Sequence, residues 1–211
     1  MSPGSTYYAH EVAPDLVLIG LDTPRDQGQV YVPKAKLNDY GGQVDPAQLR
    51  WLKKTLKANQ GKSVIVLTHH SATPWHEADK TKEHNYYRWF WMDNGDEVAA
   101  LLGKYKVKAV FSGHRHISTR YKKIDGVYHF ITPPVSTYPM RYVVYEMTPN
   151  DLTWEVKDIP ASSEVWGLAK KNFLASKWWR CPNHPDTPEG NKKYLEFYES
   201  PTTMKGKVTF R

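Results

Sequence analysis

Two stretches of similar form, Ser63–His70 (SVIVLTHH) and Val107–His116 (VKAVFSGHRH), decide the fold. Each consists of a short apolar run followed by polar residues rich in histidine. An apolar run of about four to eight residues is typical of a strand that is buried on both faces of a sheet. A third such run, Leu16–Leu21 (LVLIGL), is followed by the polar Asp22 and Thr23. The sequence therefore predicts three buried strands whose ends carry polar side chains.

Helical patterns lie between these runs. Asp45 and Pro46 mark the start of one helix, as its N-cap and its first residue. A second helix is predicted from Asp93–Asp96 to Gly103–Tyr105. Later segments predict strands at Tyr128–Thr132 and Arg141–Met147, an edge strand at Leu152–Val156 and a helix at Ser163–Ala175. The tail from Trp178 is rich in Pro, Gly, Lys and aromatic residues. Strands that alternate with helices indicate an α/β protein.

The composition excludes several classes of protein. The chain has 211 residues, a formal net charge of +7 and 13% aromatic residues. Its apolar runs are far shorter than the roughly 20 residues that span a bilayer, and its aromatic content argues against disorder. The single cysteine, Cys181, excludes an intramolecular disulfide. The first residues lack the pattern of a signal peptide, so the sequence predicts a soluble protein of unknown compartment, with no nucleic-acid-binding module.

Histidine clusters follow two of the three predicted strands, at Thr68–His70 and Gly113–His116. In sheets flanked by helices, ligands bind beyond the carboxyl ends of the strands. Gly113 is expected to provide a sharp turn that lets His114 and His116 project from one loop. Neutral imidazoles suit divalent ions such as Zn, Mn, Fe or Co. The competing interpretation, ordinary surface or core histidines, explains one histidine better than it explains two clusters.

The segment Trp75–Trp91 has no steady period and is rich in aromatic and charged residues. A loop of this length in a small domain is usually a lid or a binding loop. Arg88 within it could bind a phosphate group with two hydrogen bonds, so we predict it as a substrate-binding residue. The alternative is a loop that packs its own aromatic side chains.

The motifs Val66–Pro74 (VLTHHSATP) and Phe111–His116 (FSGHRH) resemble those of the calcineurin-like metallophosphoesterases. Gly42–Leu52 and Ile131–Pro139 support the resemblance, which covers about residues 7–150. It implies a two-sheet β-sandwich flanked by helices. It also implies a metal-dependent hydrolase that cleaves phosphodiesters or phosphomonoesters with a metal-activated hydroxide.

The resemblance also implies roles for individual histidines. His69 and His114 would bind one metal ion, and His116 would bind its partner, since the complete family site holds two ions of Mn, Fe, Zn or Co. His70 follows a ligand in the motif and is expected to line the substrate side. It is the one candidate for a catalytic role. Asp22 matches no family ligand and is interpreted as a loop cap or a supporting acceptor.

Three earlier motifs of the family, Asp-x-His, Gly-Asp-x-x-Asp and Gly-Asn-His, are not found in the sequence. We therefore expect an N-terminally incomplete phosphoesterase domain at residues 1–160 and a C-terminal extension at residues 161–211. Apolar strand faces such as Leu16–Leu21 would then be exposed. One alternative is a non-catalytic domain that binds metal weakly or pairs with a missing segment or a second chain. Another is a single-metal site made by the three proposed histidine ligands.

Overall fold

The computed structural model describes residues 6–24, 41–75, 90–176, 187–200 and 203–210. In chain order the elements are β1 (Tyr8–Ala13), β2 (Leu16–Gly20), α1 (Pro46–Ala58), β3 (Ser63–Leu67), α2 (Gly95–Lys104), β4 (Ala109–Ser112), β5 (Arg120–Ile124), β6 (Val127–Ile131), β7 (Arg141–Met147), β8 (Asp151–Asp158), α3 (Ser163–Ala175), α4 (Pro188–Glu199) and β9 (Lys205–Thr209). The chain forms two compact units, one with the described residues up to 114 and residues 122–129, the other with residues 115–121 and those from 130 onward. It is a mixed α/β protein with two sheets, as the sequence predicts.

The larger sheet has six strands in the order β1-β2-β3-β4-β6-β5. The three strands expected from the apolar runs are β2, β3 and β4, which lie side by side. They pair in parallel, with Leu16 opposite Ser63 and Ile65 opposite Ala109. Central parallel strands are largely covered on both faces, which explains why these runs are mostly apolar.

The first helix, α1, begins where the sequence predicts. The Asp45 carboxylate accepts hydrogen bonds from the backbone N–H groups of Ala47 and Gln48, at 2.7 and 3.0 Å. These bonds satisfy donors that have no partner within the helix. The core of the first unit joins both helices to the central strands and includes Val17, Ile19, Leu52, Leu56, Val64, Val66, Val98, Leu102 and Val110.

The apolar stretch Leu16–Leu21 does not form an exposed face. Val17, Ile19 and Leu21 are buried, because β2 lies between β1 and β3 and these side chains pack in the same core as α1 and α2. The expectation of exposed strand faces is therefore wrong for this segment.

The smaller sheet lies in the second unit and has the order β7-β8-β9, with both pairs antiparallel. The predicted strand at Leu152–Val156 is part of β8, but its expected position at the edge is wrong. β9 pairs with the other side of β8 and places Val208 opposite Leu152. The Trp154 ring lies over Gly206, where a Cβ atom would come within 2.1 Å of it. A residue without a side chain is required there.

The tail from Trp178, in which the sequence pattern indicates no particular element, contains both α4 and β9. Their sequences, PEGNKKYLEFYE and KGKVT, carry too few apolar residues to show a clear period. Their stability comes from tertiary packing. The ring of Phe173 in α3 packs edge-to-face against that of Tyr198 in α4, with ring centroids 4.8 Å apart. Among the described helices, none has the length and apolar character needed to cross a membrane.

Candidate metal centre

The site is built at the ends of the two adjacent parallel strands β3 and β4. The backbone ladder continues beyond both strands, because Thr68 N–H donates to Phe111 O at 2.9 Å and Gly113 N–H donates to His69 O at 3.1 Å. The segments that follow the strands are therefore held side by side. This arrangement brings the first histidine after Gly113 next to His69.

Three imidazoles meet at this point. Nε2 of His69 lies 2.8 Å from Nδ1 of His114, and the ring of His70 lies 4.2 Å from that of His114. One ligand atom from each of the three side chains lies within 4.8 Å of the other two. Two imidazole nitrogens bound to one tetrahedral zinc ion are about 3.3 Å apart, given Zn–N bonds of about 2.0–2.1 Å. The donor set and its spacing therefore fit a divalent transition metal ion after small side-chain movements.

The orientation of His70 is fixed by Thr23, which follows β2. The Thr23 hydroxyl accepts a hydrogen bond from the backbone N–H of His70 at 2.9 Å and lies 3.2 Å from its Nδ1. Both residues are buried. Since Thr23 engages Nδ1, the candidate ligand atom of His70 is Nε2.

Gly42 lies close to the same ring. A Cβ atom at this position would lie 2.4 Å from Cγ of His70, so only glycine fits without movement of the ring. The same glycine forms a parallel bridge with Met92, and its carbonyl accepts a hydrogen bond from Asp93 N–H at 2.8 Å. His70 is therefore in close contact with both Thr23 and Gly42.

His69 is the most exposed of the three histidines, yet partial burial still affects its protonation. His69 reaches solvent, but the surrounding protein still displaces enough water to lower the pKa of its imidazole. A lowered pKa favours the neutral ring, whose lone pair can bind a metal ion. Phe90 is buried, and its ring centroid lies 6.2 Å from that of His114, which makes one side of the cluster apolar.

The turn after β4 differs from the one that the sequence suggests. The left-handed backbone conformations fall at His114 and His116, with φ of 63° and 53°, and Gly113 does not adopt one. The expectation that Gly113 supplies the sharp turn is therefore wrong. A non-glycine residue in this region costs about 1–3 kcal/mol, so the surrounding structure must hold both histidines in place.

The remaining residues singled out in the sequence are His116, Arg88 and Asp22. His116 is half-buried and belongs to the second unit, and its role as a ligand stays a prediction. Arg88 lies outside the described residues. The backbone of Asp22 exchanges two hydrogen bonds with the Gln48 side chain, at 2.9 and 2.7 Å. Within the described ranges, the group able to hold a metal contains three histidines and no carboxylate.

Sequence reasoning missed Thr23 and Gly42, which orient His70. Thr23 carries a recognisable signal, because it is a hydroxyl residue just beyond a third buried strand, at the sheet edge where His69 also lies. Gly42 carries none of its own. Its importance depends on a contact with a residue far along the chain.

The family described as calcineurin-like phosphoesterase matches residues 7–118, which is more than half of the chain. The chain belongs to the calcineurin-like phosphoesterases. The chain has a mixed α/β architecture with two sheets, and its histidine cluster lies in the part that matches this family.

The chain also resembles solved structures. A dimetal phosphatase from Danio rerio aligns over 72% of this chain and 57% of its own chain, with a TM-score of 0.55 and 15% sequence identity. The likeness supports the same fold, and the chain spans 57% of that phosphatase. The sulfate thiohydrolase SoxB from Thermus thermophilus, in complex with glycerol, aligns over 80% of this chain and 28% of its own, with a TM-score of 0.37 and 18% identity. The search of curated proteins finds no match.

Proposed function

We propose that this chain hydrolyses phosphoesters with a divalent metal ion held by His69 and His114. The observation that carries the proposal is the 2.8 Å approach of Nε2 of His69 to Nδ1 of His114. Residues that are 45 positions apart meet there because β3 and β4 are parallel neighbours. His70 supplies the third nitrogen of the group. His116 is proposed as a further ligand from the family resemblance alone.

Each side chain of the cluster has a distinct task in this proposal. Neutral His69 keeps a lone pair for the ion, and Thr23 holds the His70 ring so that Nε2 is its ligand atom. The buried Phe90 limits the access of water on one side of His114. A divalent ion, when bound, supplies positive charge to the phosphate oxygens and makes a coordinated water more acidic. The net charge of +7 favours an anionic phosphodiester or phosphomonoester as the substrate.

A second candidate is a domain that binds metal without hydrolysing phosphoesters. It is favoured by the neutral ligand set, since the three histidines bring no negative charge to offset repulsion between two divalent ions. The described residues therefore suit one ion better than two. Both candidates predict that the chain binds a metal ion, but only the first predicts that it hydrolyses phosphoesters.

Metal binding is tested by titration of Mn²⁺ or Co²⁺ into the purified chain. We expect His69→Ala and His114→Ala to lower the affinity roughly 100-fold, because each removes about a quarter of a binding free energy on the order of 10 kcal/mol. His129→Ala, on β6, is the matched control and should bind like the parent. If the double variant of His69 and His114 binds as tightly as the parent, the metal site is wrong. His116→Ala tests the ligand that rests on resemblance.

Catalysis is tested separately, by hydrolysis of a chromogenic phosphodiester and a chromogenic phosphomonoester with Mn²⁺. The enzyme proposal predicts turnover that chelation abolishes and that His114→Ala removes. Tight metal binding without turnover on either substrate class would instead support the second candidate.

A further inference from the structure

The carboxyl end of α4 meets the segment that follows His114. The last carbonyls of a helix have no partners within it, and this end of the helix dipole attracts cations. In this protein the carbonyls at the end of α4 accept hydrogen bonds from other segments. The Arg120 side chain donates to the carbonyls of Phe197 (2.6 Å) and Ser200 (3.3 Å). The backbone N–H of Ser118 donates to the carbonyl of Tyr198 (2.9 Å), and the Arg141 side chain donates to that of Glu199. The end of α4 is thus capped by donors from residues 118–120 and from Arg141.

Arg115, the residue between His114 and His116, is the deepest part of this contact. It is fully buried, and its guanidinium donates a hydrogen bond to the hydroxyl of Tyr198. The guanidinium also lies over the rings of Phe197 and Tyr198, 5.3 and 5.4 Å from their centroids. A buried cation is costly unless hydrogen bonds or aromatic faces stabilise it. Both kinds of contact come from α4.

The two residues beside Arg115 have conformations that require such support. His114 and His116 both have left-handed backbone conformations, and the residue between them is the anchored one. Arg115 cannot move without turning the peptide units that carry both histidines. The contact with α4 therefore acts on the part of the loop that presents the imidazoles.

We infer that Arg115 is a positioning residue and that α4 holds the histidine loop in its metal-binding conformation through Tyr198. The inference rests on the proposed function, since it concerns the affinity of the same histidines for metal. Neither Arg115 nor Tyr198 is proposed as a ligand. The helix that supplies the anchor lies within residues 161–211.

The test compares two substitutions that each remove one phenol hydroxyl. Tyr198→Phe removes the oxygen that accepts from Arg115. Tyr138→Phe removes an oxygen that donates to the Glu199 side chain at the end of the same helix. Co²⁺ is titrated into the full chain carrying either change, and the affinity and the visible absorption of the bound ion are recorded. Arg115→Lys is a further variant, because lysine keeps the charge and loses the planar fork of the guanidinium.

We expect Tyr198→Phe and Arg115→Lys to weaken Co²⁺ binding at least about tenfold and to change the absorption spectrum, as is common for residues that orient metal ligands. Tyr138→Phe should match the parent in both measurements. Equal affinities and spectra for Tyr198→Phe and Tyr138→Phe overturn the inference, because a general loss of stability would affect both alike.

Hydrogen exchange separates this inference from the proposed function. Without metal, the backbone amides of residues 114–119 should exchange at least about tenfold faster in Tyr198→Phe than in Tyr138→Phe. If the parent binds no Co²⁺, the proposed function fails and the exchange rates decide whether the anchor exists. Equal exchange rates in the two variants would show that α4 does not hold the loop.

Discussion

His129 on β6 is a buried imidazole whose ring nitrogens have no hydrogen-bond partner among the described residues. Burial lowers its pKa to about 4, while the charge of Asp125 raises it and that of Lys122 lowers it by smaller amounts. The native protein therefore holds His129 neutral at a pH where a solvated histidine is protonated. The unfolded chain binds the proton more readily.

His129 should make the protein less stable in acid. Between about pH 6.5 and 4 the unfolded state binds more protons than the native state, so stability is full above this window and falls as the pH decreases through it. The loss approaches about 3 kcal/mol at the low end. Urea unfolding of the metal-free parent and of His129→Leu, measured from pH 4 to 7.5, should give a shallower pH dependence for the variant. Parallel curves would show that His129 is not responsible.

At the same scale, Gly42→Ala should disturb His70 without removing any ligand. The new methyl group would lie 2.4 Å from the ring, whose Nδ1 also contacts the Thr23 hydroxyl. Overpacking of this kind costs about 1–3 kcal/mol. We expect that loss of unfolding free energy together with weaker Mn²⁺ binding by calorimetry. A variant with parental stability and affinity would mean that the ring moves aside at no cost.

Sequence alone shows which histidines follow strands, and the structure brings His69 and His114 together as that position suggests. It does not show how His70 is oriented. Thr23 and His70 are 47 residues apart, and their contact exists only when β2 and β3 are paired. Supporting residues of this kind have no local signature, because their partners are set by tertiary structure.

At the scale of elements, the best predictions concern β2, β3, β4 and α1. The three strands are mostly apolar and lie side by side in the sheet, and Asp45 marks the start of α1 as its N-cap. The missed elements are those whose stability depends on neighbours. β9 has one buried residue, Val208, so its sequence has no clear strand pattern. With β9 unrecognised, the sequence predicts β8 at the edge of the sheet, whereas the structure places it in the centre.

Gly95, the first residue of α2, lies in close contact with the backbone of Ala72 in the segment after His70. A Cβ atom at Gly95 would lie 2.3 Å from the carbonyl oxygen of Ala72, which is backbone and cannot rotate away. We expect Gly95→Ala to lower the unfolding free energy by about 1–3 kcal/mol. Thermal unfolding measured by circular dichroism gives the comparison.

Gly167 within α3 is the matched control, because a Cβ atom there meets nothing within 4 Å. Alanine in an open helical position should raise the unfolding free energy by about 0.5–1 kcal/mol. The two substitutions therefore have opposite expected signs. A stabilising Gly95→Ala would show that α2 does not pack against Ala72 as described.

At the scale of the whole molecule, the family match ends at residue 118, whereas the described elements continue to Thr209. The later elements include the whole of the smaller sheet and both C-terminal helices. Residues 161–211 supply β9 to that sheet, so the predicted boundary at residue 160 separates strands that are hydrogen-bonded to each other. The boundary itself stays a prediction.

A chain that ends at residue 160 should therefore fold poorly. Loss of β9 leaves one side of β8 unpaired and uncovers Trp154, and an unpaired apolar edge promotes association. We expect aggregation in size-exclusion chromatography and loss of a cooperative thermal transition. Gly206→Val is a milder variant that should reproduce part of the defect, because its side chain would overlap the Trp154 ring. A monomeric 1–160 chain with parental melting temperature would show that the extension is dispensable.

Because His69 and His114 follow the paired strands β3 and β4, the proposed metal site can form only after these two strands have paired in register. His69 and His114 approach each other only after Leu67 is paired with Phe111. A shift of one residue would turn every side chain of one strand to the opposite face and separate the two imidazoles. In a refolding experiment started with Co²⁺ present, the colour of the bound ion would thus report correct strand pairing. Secondary structure that forms earlier, in either strand or helix, would leave the solution colourless.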